Sequence, residues 1–286
     1  MMKLHLKALL VRSRPAIAAA ILALAISPAA AADMIGNCEL TGTKGSIPFT
    51  PVKAGQLTVE VSLPAPGWWN GDTPEQIKDG FEYCMAANIA HRAGLDKVEV
   101  VNVGWDALVA GQTKDFDLAL SGITITDERK KVVDFSIPYF SGDMGALVKK
   151  GVSIDDGSMK KMRVGVQQGT TAVDWVANHL KPADVKVFPD GPGLFASLIA
   201  GQIDVVLTDT ADELPQVTNS NGTLEVAGQY STGESCGAIY PKGSANASTI
   251  DKIIDTLIKD GTVKKQFKYL SAAWGEDPSK IPYLKP

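Results

Sequence analysis

The chain is poor in the residues that most enzyme chemistry uses. Histidine occurs three times and cysteine three times in 286 residues, and no two histidines stand at metal-ligand spacing. There is no Gly-x-Ser-x-Gly elbow and no Walker loop for phosphate, so no motif demands catalysis and no cofactor is expected. Net positive charge is also missing, which argues against a nucleic-acid surface and a polybasic membrane anchor, since either needs clustered lysine and arginine. The formal charge of -4 understates the acidity. Lys3, Lys7, Arg12 and Arg14 fall in a leader without an acid, so 24 basic residues face 32 acidic ones in the remainder, a net charge of -8.

Long apolar runs are scarce too. One of eleven residues, 16–26, follows the basic start and precedes Ser27-Pro28 and four alanines. That is the pattern of a secretory signal over residues 1–32, cleaved near Ala32, and it predicts a periplasmic protein. Eleven residues cannot cross a hydrocarbon layer of about 30 Å as a helix, and no later stretch approaches the roughly 20 residues needed. Cys38, Cys84 and Cys236 lie too far apart for a zinc motif; one disulfide with one thiol left over is expected, and the spacing leaves the pairing open. A lipid anchor on Cys38 is disfavoured, since the apolar run ends twelve residues earlier.

What is present is the composition of a folded chain, 45% hydrophobic and 21% charged, long enough for one or two domains. Residues 57–63 alternate apolar and polar side chains as a strand does. Thr73-Pro74-Glu75-Gln76 reads as a helix start with a capping box, and Ile77, Phe81, Cys84, Met85 and Ile89 recur at helical spacing up to Gly94. Strands at 98–103 and 116–120 flank a short helix at 105–110. The same alternation returns with strands at 163–166, 185–188 and 205–207 and helices from about Thr171 and over 194–200, so two α/β units with parallel strands are implied. An internal echo supports duplication: Ala107-Leu-Val-Ala-Gly-Gln112 recurs ninety positions later as Ser197-Leu-Ile-Ala-Gly-Gln202, each leading into an apolar strand. Residues 136–150 and 229–237 read as two irregular crossings, a hinge. A final strand at 238–240 and a helix at 248–259 close the pattern. Ligands of open α/β sheets bind beyond the carboxyl ends of the strands, which would set residues 121–126 opposite Asp209 across a cleft.

Three constellations could bind a zwitterion there. In residues 121–129, Arg129 offers a donor fork that fits a carboxylate, Gly122 permits close backbone approach and Thr124 adds a hydroxyl; the bland reading of residues 127–131 is a solvated helix start. Gln167-Gln-Gly-Thr-Thr171 lies where a strand gives way to a helix, and Thr170 or Thr171 either caps that helix or donates to the same carboxylate. Asp209 ends a strand and suits an ammonium group, or else caps the helix that follows. Trp68 or Trp69 could wall a ligand side chain, with packing between loop and lobe as the alternative. Asp143 and Glu82 are weaker candidates for reading a side chain, and His91 and His179 read as surface helix residues.

Trp105-Asp-Ala-Leu, the run from Asp117 through Ser121-Gly-Ile-Thr-Ile-Thr-Asp-Glu-Arg129 to Tyr139, and Val164-Gly-Val-Gln-Gln-Gly-Thr-Thr171 resemble the polar amino-acid-binding proteins of bacterial ABC importers over almost all of the chain after the leader. The resemblance implies a type 2 periplasmic-binding fold: α/β, two Rossmann-like lobes joined by a two-strand hinge, with lobe 1 at 33–141 and 237–286 and lobe 2 at 142–236. It also implies ligand-binding roles for Gly122, Thr124 and Arg129 at the carboxylate, Thr171 from the second lobe, Asp209 at the ammonium, and Trp68 or Trp69 at the side chain. The expected partners are a free amino acid or derivative and an inner-membrane ABC permease, with the chain a monomer. Where many members of that family carry a Tyr-x-Pro-Phe type segment, this chain reads Pro66-Gly-Trp-Trp-Asn-Gly-Asp72. The rival is a periplasmic enzyme on the same scaffold resembling cyclohexadienyl dehydratases, for which Asp209 or Glu213 would be the proton donor.

Overall fold

A computed structural model describes residues 34–155 and 157–286; the expected leader and its cleavage site lie outside them. A hairpin of β1 (Met34–Ile35) and β2 (Cys38–Glu39) precedes β3 (Gln56–Val61), α1 (Phe81–Ala93), β4 (Lys97–Asn102), α2 (Trp105–Val109) and β5 (Leu118–Ala119). Then come β6 (Asp134–Phe135), β7 (Phe140–Ser141), β8 (Met144–Lys149), β9 (Arg163–Gln167), α3 (Thr171–Trp175) with a π-helical turn over Val176–Leu180, β10 (Asp184–Phe188), α4 (Gly191–Ile199) and β11 (Val205–Asp209). The rest of the chain forms α5 (Thr210–Asn219), β12 (Leu224–Tyr230), β13 (Ser235–Cys236), β14 (Ile239–Tyr240), α6 (Ala247–Lys259) and α7 (Thr262–Trp274).

Two five-stranded sheets result, in the orders β4-β3-β5-β14-β6 and β10-β9-β11-β8-β12. In each, three parallel strands joined by helical crossovers continue into two antiparallel ones. The antiparallel pair β7/β13 carries the chain from one half to the other and back, so the fold is α/β with two lobes and a two-strand hinge. The internal echo is structural. In both copies the glycine (Gly111, Gly201) takes a left-handed conformation and the following glutamine N–H returns to the carbonyl five residues back, Gln112 to Ala107 and Gln202 to Ser197, each at 2.9 Å. That is a helix C-terminus closed by glycine, and it delivers each chain into the strand at the centre of its sheet.

Several elements differ from expectation. Residues 73–76 form a turn, and α1 begins only at Phe81. Its free N–H groups are satisfied by main-chain carbonyls of the tryptophan loop: Phe81 N–H donates to Gly67 O at 2.9 Å and Glu82 N–H to Trp68 O at 3.1 Å. A side-chain cap was therefore unnecessary. The stretch read as irregular, 136–150, contains β8, whose Met-Gly-Ala-Leu-Val run is buried on both faces inside the second sheet, between β11 and β12. Residues 229–237 hold the end of β12 and β13. The helix α7 was not foreseen.

Every residue of α1 is buried, because the segment before β3 covers its outer side. Cys38 is disulfide-bonded to Cys84 of α1, and Cys236 is free and buried. Asn88 accepts from Thr41 N–H and donates to Glu39 O. Arg92 donates to Thr41 Oγ1 and pairs with Asp260. His91, expected at the surface, is buried beside Gly42 O, whereas His179 is exposed. Among the described residues no helix is long and apolar enough to cross a membrane.

Candidate functional site

A cavity of about 500 Å³ lies between the two halves, a volume in the range of small-molecule sites. Gly122, Thr124, Arg129, Thr171, Asp209 and Trp68 all line it. Trp69 does not: its ring is fully buried and its Nε1 donates to Glu82 Oε2 at 2.7 Å. Glu82 is fully buried and Asp143 accepts a hydrogen bond from Tyr283 Oη; neither lines the cavity.

Residues 127–131 separate cleanly. Lys130 pairs with Asp127 and Lys131 with Glu128 in solvent, while Arg129 alone turns inward and is buried. Its Nη1 donates to Thr124 O at 2.7 Å, its Nη2 crosses to Gly169 O at 2.9 Å, and the guanidinium stacks on Trp105 at 5.4 Å from the ring centre. Burial lowers the pKa of Arg129, and the negative charges of Glu234 and Asp209 work against that shift.

The main chain beside Arg129 is prepared for an anion. Thr124 pairs with Cys236 in an antiparallel bridge, and the bonds of that bridge are Ile125 N–H to Ser235 O and Gly237 N–H to Ile123 O. Thr124 is therefore the non-bonded position, so its own N–H and C=O both point away from Cys236, towards the side where Arg129 takes the C=O. Gly122 contributes differently from expectation: its N–H donates to Glu82 Oε1 at 2.8 Å, which commits that amide to the core. A buried carboxylate needs donors, and Glu82 collects them from Trp69, Gly122 and Tyr139. Burial still raises its pKa to about 7.

From the second half, α3 presents Thr171 at its start. Thr170 stands at the cap position without capping, its Oγ1 donating back to Gln167 O, and Thr171 Oγ1 donates to Glu234 Oε2 at 3.0 Å. Asp209 occupies the cap position of α5, yet its side chain accepts no helix N–H; the capping alternative is removed and the carboxylate is left to the cavity it lines. Burial, with Asp212 and Glu234 nearby, pushes the Asp209 carboxyl well above the usual range, and Arg129 pulls the other way. Glu213 packs on β8, where its Oε1 accepts Leu147 N–H at 3.3 Å, and does not line the cavity. It cannot serve as a proton donor there.

Two further cavity-lining residues were missed. Trp105 forms the platform for Arg129, and its position at the start of a helix just after a strand end was the available signal. Asp212 follows Asp209 by three positions, which places both on the first turn of α5. Gln168 reaches across to Asp106 at 2.6 Å. Among the described residues no group of His, Cys, Asp and Glu could hold a metal ion.

The family model for bacterial extracellular solute-binding proteins, family 3, matches residues 64–275. The L-cystine-binding protein TcyJ of Escherichia coli (strain K12) is 33% identical over 209 residues, covering 70% of this chain and 76% of that protein. Among solved structures, an ancestral arginine-binding protein bound to arginine superimposes with a TM-score of 0.66 at 35% identity, over 75% of this chain and 97% of the other. The ancestral amino acid-binding protein AncCDT-1, a precursor of cyclohexadienyl dehydratase, gives 0.65 at 29% identity over 78% and 96% of the two chains.

Proposed function

The chain belongs to the bacterial extracellular solute-binding proteins, family 3, and we propose that its cavity captures a free amino acid or close derivative for delivery to the permease of an ABC importer. The observation that carries this reading is the placement of one buried guanidinium, Arg129, and one uncapping carboxylate, Asp209, on opposite halves around one cavity. The α-carboxylate of the ligand meets Arg129 and the N–H of Thr124. The α-ammonium meets Asp209. Trp68 walls the side chain. Each charged hydrogen bond contributes roughly 1.5 to 3 kcal/mol, so three or four of them, less the losses of association, are compatible with micromolar binding. Ligand contacts from both halves exist together only when the halves are closed, which couples capture to closure. Export through the leader places that capture in the periplasm, and lobes at 33–141 with 237–286 and at 142–236 are the bodies that move.

Titration calorimetry against the common amino acids tests the reading. Arg129→Ala should weaken binding at least tenfold, about 1.4 kcal/mol, without unfolding the protein, and unchanged affinity would remove the clamp. The likeness to AncCDT-1, together with the protonation-prone Asp209, gives the enzyme reading its one support. Turnover of prephenate or arogenate by the purified protein would favour it over capture.

A further inference from the structure

On top of the amino-acid reading, we infer that Asp212 is the residue that selects the ligand's side chain, and that it selects a cationic one, a guanidinium or an ammonium at the end of an aliphatic stem. The inference starts from a charge census of the cavity. Among the described residues lining it, the acids are Asp190, Asp209 and Asp212 and the one base is Arg129. Asp190 is occupied: it caps α4 by accepting Gly193 N–H at 2.7 Å. A zwitterion satisfies Arg129 with its carboxylate and Asp209 with its ammonium, and leaves Asp212 as a carboxylate facing the cavity with no cation. An uncompensated charge out of water is expensive, and a cationic side chain supplies what is missing.

The geometry places Asp212 where such a side chain would end. Trp68 Nε1 donates to Asp212 Oδ1 at 2.9 Å, a bond that runs from the loop of one half to the helix of the other. Cζ2 of the same indole, the ring atom two bonds from Nε1, comes within 3.9 Å of a Cβ placed on Gly122. That one edge of Trp68 thus sits between the carboxylate-binding turn and Asp212 and touches on both. The ring is held edge-on by Phe81 and Phe140 at 5.5 and 4.9 Å between ring centres. An aliphatic stem lying along that indole, with its charged end at Asp212, would gain apolar contact along its length and cation–π attraction at its tip. The indole N–H alone does not call for an acid, since any neutral carbonyl would accept it. A second zwitterion at the far end, as in cystine, fits less well, because its outer carboxylate would find no second base in the wall.

Calorimetry of wild type and Asp212→Asn with L-arginine, L-lysine, L-glutamine and L-cystine is the test. Asn keeps an oxygen for Trp68, and a thermal melt within a few degrees of wild type shows that the variant is folded; Asp212→Ser serves if it is not. Wild type should bind arginine or lysine at least tenfold tighter than glutamine or cystine, and the variant should lose at least tenfold for the cationic ligands while glutamine changes less than threefold. Preference for glutamine or cystine in wild type, or an arginine-to-glutamine ratio that Asp212→Asn leaves unchanged, overturns the role of Asp212 while capture of amino acids stands. Wild type that binds none of the four overturns the role of Asp212, and the amino-acid reading falls with it when none of the other common amino acids binds either. Arg129→Ala, run alongside, separates the two, because it should weaken all bound ligands alike.

Discussion

Trp68 and Trp69 are neighbours in the chain and part company in the fold. One lines the cavity and bonds across it to Asp212; the other fills the core and bonds to Glu82. Both sit in the tight turn that Trp69 N–H closes on Ala65 O at 2.8 Å, and that turn sends the two indoles to different sides of the loop. Trp69→Phe leaves Glu82 without its donor on Oε2 and opens a gap, which should cost roughly 2 to 3 kcal/mol in denaturant unfolding. Ligand affinity measured by calorimetry should stay within about twofold, because nothing at the cavity wall has changed. The cavity-lining residues legible in the sequence were the ones with a charge or a motif around them, Arg129, Asp209, Thr124 and Thr171. The choice between two indoles was not legible, since it depends on which side of the loop meets α1, a fact of tertiary packing.

At the scale of elements, α5 and α7 show how a local defect is repaired at a distance. Pro215 lies inside α5 and has no N–H, so the carbonyl four residues back, that of Ala211, loses its helical partner. Trp274 of α7 fills the gap: its Nε1 donates to Ala211 O at 3.1 Å. Trp274→Phe should therefore strand a buried carbonyl and destabilise the protein by roughly 1 to 3 kcal/mol, seen as a lower thermal midpoint, with faster amide hydrogen exchange in α5. The same kind of long-range satisfaction explains where sequence reading failed. The capping box at residues 73–76 had the right letters, but carbonyls of Gly67 and Trp68 already serve the start of α1. The strand β8 was masked by Gly142 and Gly145, which mark turns in most contexts. Here Gly145 is needed for closeness, since a Cβ there would meet Glu213 Oε2 at 1.8 Å. The helix α7 does carry Val263, Phe267, Leu270 and Trp274 on one face; the glycine before it, Gly261, reads as the stop of α6 and hides the restart. Parallel β-α-β units were legible throughout, because their periodicity is local.

Across the whole molecule, buried carboxyl groups set the response to pH. The Glu82 pKa is raised to about 7 by burial and that of Asp212 to about 6 by burial, with Asp209 and Glu213 shifted in the same direction. A carboxyl whose folded pKa lies above its unfolded value binds more protons in the folded state, so stability falls as pH rises between the two values. The folded protein should melt at a higher temperature at pH 5 than at pH 7.5, with Glu82 alone accounting for about 2 kcal/mol of the difference. Glu82→Gln should flatten that dependence in melts across the range, and an unchanged slope would show that Glu82 ionises as freely as an exposed acid.

The last residues of the chain have a consequence of their own. Gln229 of β12 donates its N–H to Pro282 O, accepts from Leu284 N–H, and holds Pro278 O and Ile281 O with its side-chain amide. The tail so fastened shields that margin of the second sheet from strangers. Its opposite margin, β10, shows Val185 and Val187 at 40% and 50% exposure, and is left to the charges of Asp184 and Lys186 to defend. Crowded copies that zip up sheet to sheet would do so from that rim, and the tail makes such growth one-sided.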